Sequence, residues 1–199
     1  SHTHFMQSAP SLNDGAAYGV IKLPNESPNH GPFETVVNPS DPVASPFGWH
    51  DTDGNIGPEY TITRGNNIYA REDDEGDNSQ SGTDYSPDGG NSLNFIYDFD
   101  ISGAPPSYQD LSITNLFYTG NMMHDIWYNY GFDEQSGNFQ ENNYGNGGQG
   151  GDSVIADAQD GSGLNNASFS PTTDGQNPII TMYLWLSLIH ISEPTRRRH

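Results

Sequence analysis

A histidine followed by an aspartate, His124–Asp125, lies inside a segment with helical spacing, and its chemistry is the first question. A protease-type zinc site needs two histidines one helical turn apart, with a glutamate beside the first to activate water. Here the residue four places on is Tyr128 and the neighbour is an aspartate, so that pattern is absent. His2 and His4 lie near the N-terminus, and His30 and His50 stand alone between turn signals. None of them has a ligand-spaced partner. Two readings remain for His124–Asp125. It is either a pair that orients a neighbouring site from behind, or a structural pair whose ring nitrogens bond backbone or carboxylate.

Carboxylates are the next resource. Asp51, Asp53 and Asn55 offer oxygens at alternate positions around Gly54, and Asp73, Asp74, Glu75 and Asp77 form a second acidic group. Either is a candidate calcium site. Neither fits the twelve-residue helix-flanked calcium loop, which closes on a Glu. The competing reading is turn chemistry and a solvated acidic loop. No Gly-x-Ser-x-Gly elbow surrounds any serine, and the glycine-rich NNYGNGGQGGD stretch lacks the lysine of a phosphate cradle.

Charge narrows the partners. The 199 residues carry 26 acidic and 6 basic side chains, a formal net charge of -20. Before the last fourteen residues the only bases are Lys22, Arg64 and Arg71. Such a chain repels phosphate backbones and anionic lipid, so nucleic acid and membrane are excluded as partners, and a monomer is expected. There is no cysteine, which removes thiol catalysis, Cys-type metal sites and disulfides. Nine Phe, eleven Tyr and three Trp are too many aromatics for a disordered chain.

Positioning these residues falls to short strands and one helix, an α+β pattern that is β-rich and loop-rich. Strands are expected at Tyr18–Leu23, Glu34–Val37, Tyr60–Thr63, Asn67–Tyr69, Leu93–Phe99, Ser153–Ala158 and Ile179–Trp185, with an extended edge over Gly163–Phe169. Arg71 to Asn91 reads as a long surface loop. The principal helix runs from about Asp110 to Tyr130, with Leu116, Gly120, Met123, Trp127 and Tyr130 on one face. Asp110 or Ser112 can cap it, Gly131 can end it, and Pro105 and Pro106 hold the preceding segment extended.

Three regions follow. Residues 1–17 read as a disordered end or prosegment junction, 18–185 as the folded body, and 186–199 as a foreign tail. The tail, LSLIHISEPTRRRH, turns abruptly basic and resembles a translated transposase-end sequencing adapter. The expectation is that the native gene continues beyond Trp185.

Five phrases, in order and spacing, carry a wider resemblance: ASPFGWHDTDG, TRGNN, NLFYTGNMMHDIWYNYGFDEQSGNFQENNYG, VIADAQDGSGLNNASF and DGQNPIITMYLW. Together they resemble the fungalysin family of secreted zinc metalloendopeptidases over Tyr18–Trp185. The resemblance implies the N-terminal half of a thermolysin-like catalytic domain, secreted to the extracellular space, made as a zymogen and acting on protein or peptide. It implies zinc in the intact enzyme, held by a His-Glu-x-x-His helix and a further Glu, none of which this sequence contains. The chain itself is therefore expected to lack peptidase activity. It further implies that NNASF lies on the edge strand that receives substrate, with Asn165, Asn166, Ala167 and Phe169 binding it; the aromatic falls one place later than in thermolysin. A rival reading is a non-catalytic, calcium-stabilised extracellular β-rich binding module.

Overall fold

A computed structural model describes residues 14–78, 84–98 and 103–185. The tail 186–199, with His190 and His199, lies outside the described residues, as do His2 and His4 and most of the 1–17 segment. β1 (Ala17–Ile21) pairs antiparallel with β2 (Phe33–Val37). On its other side β1 pairs in parallel with the two-residue β4 (Asn94–Phe95). The second sheet has the order β3-β5-β7-β6. β3 (Ile68–Glu72), β5 (Val154–Leu164) and β7 (Ile179–Leu184) run parallel, and β6 (Ala167–Ser170) closes the edge antiparallel to β7. Parallel neighbours need a crossover connection, and α1 (Gln109–Asn129) lies in the one between β3 and β5. It packs on β1, β3 and β5, so both sheets share its core.

The helix starts and stops for identifiable reasons. Pro105 and Pro106 open a tight 3-10 turn, Pro105–Tyr108, that feeds directly into α1, rather than an extended lead. No side chain caps the start; Asp110 sits in the first turn, where it favours the helix dipole, and Ser112 Oγ donates to the Tyr108 carbonyl at 3.1 Å. At the far end Gly131, at φ +97°, takes the left-handed position. Phe132 N–H then bonds Trp127 O at 3.0 Å and Gly131 N–H bonds Tyr128 O at 2.9 Å, the paired closure of a Schellman motif.

The buried face of α1 differs from the one that hydrophobic spacing selects. Met123, Trp127 and Tyr130 are exposed, the last at 82%. The buried stripe is Leu111, Ile113, Thr114, Phe117, Tyr118, Asn121 and Asp125, also at three-to-four spacing. Its lower half is polar, which an apolar pattern cannot reveal.

Other boundaries shift too. Tyr60–Thr63 forms no strand, only a single bridge from Ile62 to Asp88. The Leu93–Phe99 strand shrinks to two residues, with Phe99 outside the described residues. β5 runs on to Leu164, so the edge expected from Gly163 is in fact the end of β5, a turn, and β6. The surface loop from Arg71 begins deep inside, because Arg71 and Asp73 are fully buried.

The core is aromatic. Tyr18 stacks on Phe95 at 5.4 Å, His50 stacks on both Phe95 and Phe117, and Trp49 meets Phe117 edge-on at 6.2 Å. Phe117→Ala should therefore cost about 3–5 kcal/mol in urea unfolding, the range for a large aromatic lost from a packed core. Phe169→Ala, at a half-exposed position, should cost under about 1 kcal/mol.

Candidate functional site

Asp125 is held on α1 with its carboxylate pointing into the loop that precedes β3. Oδ2 accepts the Asp41 backbone N–H and the Trp49 indole N–H, both at 2.9 Å. Oδ1 accepts Ser45 Oγ at 2.7 Å and lies 3.0 Å from His124 Nδ1. Ser45 Oγ in turn accepts Asn67 Nδ2 at 3.1 Å, and Asn67 also donates to Asn121. The far nitrogen of His124 stands 3.4 Å from Asn138 Nδ2. Every oxygen of Asp125 is thus used by the scaffold, and His124 bridges the helix to the segment after it.

His50 is wholly buried. Its Nδ1 stands 3.0 Å from the Arg64 carbonyl, which can only accept, so that nitrogen carries the hydrogen. Nε2 is then the acceptor, and the Tyr18 hydroxyl donates to it at 2.8 Å. Burial lowers the pKa of His50 to about 4, against the upward pull of Asp14 and of backbone bonds to Arg64 and Ile62. The neighbouring glycine of TRGNN is there for space: a Cβ on Gly65 would run into the Trp49 carbonyl, which receives Asn66 N–H at 3.0 Å.

The acidic groups resolve into two constellations. Asp51 and Asp53 gather with Glu59, each offering one oxygen within 4.8 Å of the others. Asp51 is buried, and its Oδ1 accepts Gly54 N–H at 2.9 Å and the Tyr144 hydroxyl at 2.7 Å. Asp53 is exposed and accepts the Asn55 N–H at 2.8 Å, a turn bond that employs Asn55 through its backbone. In the second constellation one oxygen each of Asp73 and of Asp157 and Asp160 of β5 lies within 4.8 Å of the others, and all three residues are buried. Asp74 and Asp77 are exposed and stand outside it. Sequence spacing missed Asp157 and Asp160.

The NNASF segment forms the turn from β5 and the start of β6. Asn165 N–H bonds Leu184 O at 2.8 Å, and Tyr183 N–H bonds Asn166 O at 3.2 Å. In an antiparallel pair successive residues point their polar groups alternately inward and outward. With Asn166 bonded to β7, the backbone groups of Ala167 and Phe169 turn to the open edge. Ala167 N–H is taken by Asn166 Oδ1 at 2.9 Å. Phe169 is half exposed and stands edge-on to Phe139 at 6.3 Å, which meets Phe132 in the same way.

Zinc finds no fitting set here. Among the described residues no histidine joins a group of potential ligands, and His30, His50 and His124 are separately engaged with Ser27, Tyr18 and Asp125. A cleft of about 640 Å³ between α1, β1 and β7, lined by Ile21, Leu23, Leu116, Met182 and Trp185, holds none of the candidate residues.

An α+β unit with a crossover helix, a buried polar scaffold and an open strand edge defines the class. The chain belongs to the fungalysin metallopeptidase family, which it matches over residues 17–195, a stretch that reaches into the tail. It is 42% identical over 183 residues to "Probable extracellular metalloproteinase 2" of Arthroderma benhamiae, covering 91% of this chain and 28% of that protein. It is 46% identical over 171 residues to "Probable extracellular metalloproteinase 5" of Trichophyton verrucosum, covering 85% and 26%. With "Extracellular metalloproteinase 2" of Trichophyton rubrum it shares 42% over 183 residues, again 91% and 28%. The chain thus spans roughly a quarter of the length of the curated relatives it matches.

Asp125→Ala should destabilise the fold by about 3–5 kcal/mol, because it strands the buried donors of Ser45 and Trp49; the denaturant midpoint reads this. His50 gives a pH signature. Its folded pKa lies below the unfolded value of about 6.5, so the unfolded chain takes up the proton first and stability falls as pH drops through the window from about 6.5 to 4. That loss is worth about 3 kcal/mol. Asp51, Asp152 and Asp157 are raised, chiefly by burial, and act with the opposite sign. The measurement is therefore the difference: His50→Gln should lose about 3 kcal/mol less than wild type across that window.

Proposed function

We propose that this chain forms the N-terminal part of the catalytic domain of a secreted, zinc-dependent metalloendopeptidase, and that β6 is the strand on which an extended substrate peptide is laid. The open edge of β6 carries the reading. An extended peptide adds to a sheet edge through main-chain hydrogen bonds, and the Ala167 carbonyl is turned outward to accept one. The small side chain at 167 lets the peptide backbone approach. Asn166 uses its Oδ1 on Ala167 N–H and keeps its amide nitrogen as a donor for a substrate carbonyl. Asn165 shapes the turn, at φ 53°, and Phe169 with Phe139 offers an apolar wall to a substrate side chain.

Extracellular placement rests on the names of the relatives, and no helix among the described residues is long and apolar enough to cross a membrane. The described side chains form no zinc set, so hydrolysis would need residues of a longer protein. His124–Asp125 is proposed as a structural pair, since all the bonds of Asp125 go to the scaffold.

A fluorescently labelled apolar hexapeptide, followed by anisotropy, tests the edge. Asn166→Ala should weaken binding by about tenfold at most, the worth of one hydrogen bond. A backbone N-methylated peptide should not bind. Equal binding by the N-methylated peptide would refute strand addition. On a casein zymogram the 199-residue chain should give no chelator-sensitive clearing; clearing would mean that it assembles a metal site which the described side chains do not form.

A further inference from the structure

The carboxylates of Asp73, Asp157 and Asp160 are all fully buried, and one oxygen of each lies within 4.8 Å of one from each of the others. Three such groups from two separate parts of the chain do not meet by default. Asp157 and Asp160 are three apart on β5, and in a regular strand residues i and i+3 face opposite sides. They share a side because the strand is irregular between them. Gln159 takes φ 54°, and the pairing with β7 shifts between Ala158 and Asp160. A bulge of this kind re-aims the side chains that follow it. Gln159 is held there by bonds from Nε2 to the Pro105 carbonyl at 2.8 Å and to Ser112 Oγ at 3.1 Å.

Asp73 arrives from the other side. Its backbone carbonyl accepts Gly161 N–H at 2.9 Å, and a Cβ on Gly161 would run into the Asp74 carbonyl, so the loop after β3 lies directly on β5. Its carboxylate oxygens accept the Asp77 and Asn78 backbone N–H groups at 3.2 and 2.9 Å.

The local charge does not balance. Arg71 is the cation present, and it is spent on Asp84 and on Asp157 Oδ1. Asp157 Oδ2 and Asp160 Oδ2 are both buried and lack any hydrogen-bond partner among the described residues, and Arg71 Nη2 bonds neither. A buried carboxylate oxygen without a donor is costly, and three buried carboxylates beyond one guanidinium are more so.

We propose that Asp73, Asp157 and Asp160 hold a divalent cation of the calcium class, which pins the acidic loop after β3 to the bulge of β5. Oxygens at about 2.3–2.6 Å from a calcium ion stand up to about 5 Å apart, which suits the spacing of the three groups. The donor set is all oxygen, which selects against zinc and favours calcium. The Asp51, Asp53 and Glu59 group also has a buried oxygen without a partner among the described residues, Asp51 Oδ2, but it is the weaker rival because its other two members are exposed and already accept loop N–H groups from Asn55 and Thr52.

The test uses the 199-residue chain after chelator treatment, titrated with calcium alone and, for comparison, magnesium alone. Calcium at about a hundred times its Kd should raise the Tm by about 5–10 °C. Asp160→Asn, which leaves the Arg71 pair intact, should abolish the shift; Asp53→Asn should keep it. Hydrogen exchange on the wild-type chain, independent of any variant, should show calcium protecting residues 73–78 and 157–162. No calcium-dependent Tm shift, a shift lost in Asp53→Asn but kept in Asp160→Asn, or protection confined to the 51–59 loop would each overturn the proposal. None of these outcomes depends on whether β6 binds peptide.

Discussion

One carboxylate, that of Asp125, fixes how the long segment from Asp41 to Gly65 lies against α1. It collects a backbone N–H, a serine hydroxyl and an indole N–H from three points between Asp41 and Trp49. Trp49 is thereby oriented so that its ring reaches Tyr18, Phe117 and Tyr118. The Trp49 carbonyl then receives Asn66, and Gly65 leaves room for that contact. β3 begins two residues later, at Ile68, so its position beside α1 follows from the same anchor. Removing the carboxylate would free the loop, the indole and the entry to β3 together, because they share one acceptor pair.

The same economy recurs throughout. Asp152 accepts Gln140 N–H and Gly175 N–H, each at 2.9 Å, so one side chain ties the loop after α1 to the turn before β7. Asn66 donates to the Asn142 carbonyl and accepts its N–H, linking the turn before β3 to the segment after α1. A chain with net charge -20 and modest apolar content cannot rely on apolar burial alone. Its long loops are held instead by buried Asp and Asn whose oxygens and amides substitute for missing backbone partners.

That strategy sets what the sequence could reveal. The existence of α1, its length and its glycine stop were legible from spacing and punctuation, as were β1, β2 and β7. The buried face of α1 was not, because Thr114, Asn121 and Asp125 are core residues here and a hydrophobic pattern discounts them. Tyr60–Thr63 has strand-like residues, yet no neighbouring strand runs alongside it for more than a single bridge. An extended edge around NNASF was legible from the residue pattern, whereas a substrate-binding role for it came from resemblance alone. Asp157 and Asp160 escaped notice for a geometric reason: period-two alternation assigns them to opposite faces, and only the positive φ at Gln159 brings them together.

The bulge at Gln159 also bears on the open edge. Before it, β5 pairs in regular register with both β3 and β7. After it, β5 meets β7 at only two further positions, Asp160 opposite Tyr183 and Leu164 opposite Leu184, with a second register shift between them, and the chain turns through Asn165 into β6. The stretch from Asp160 to Leu164 is thus the stem that carries the edge strand. It is held from α1 by Gln159 through Pro105 and Ser112, and from the other side by the loop at Asp73–Gly76 lying on Gly161 and Ser162. An edge strand that must accept a peptide backbone has to keep its outward carbonyls in a fixed line, since a strand-addition site gains affinity only if its bonds form together. β6 is four exposed residues long and too short to define its own position. Its rigidity must come from β7 on one side and from the braced stem of β5 on the other, so the residues that brace the stem also set the line of the edge.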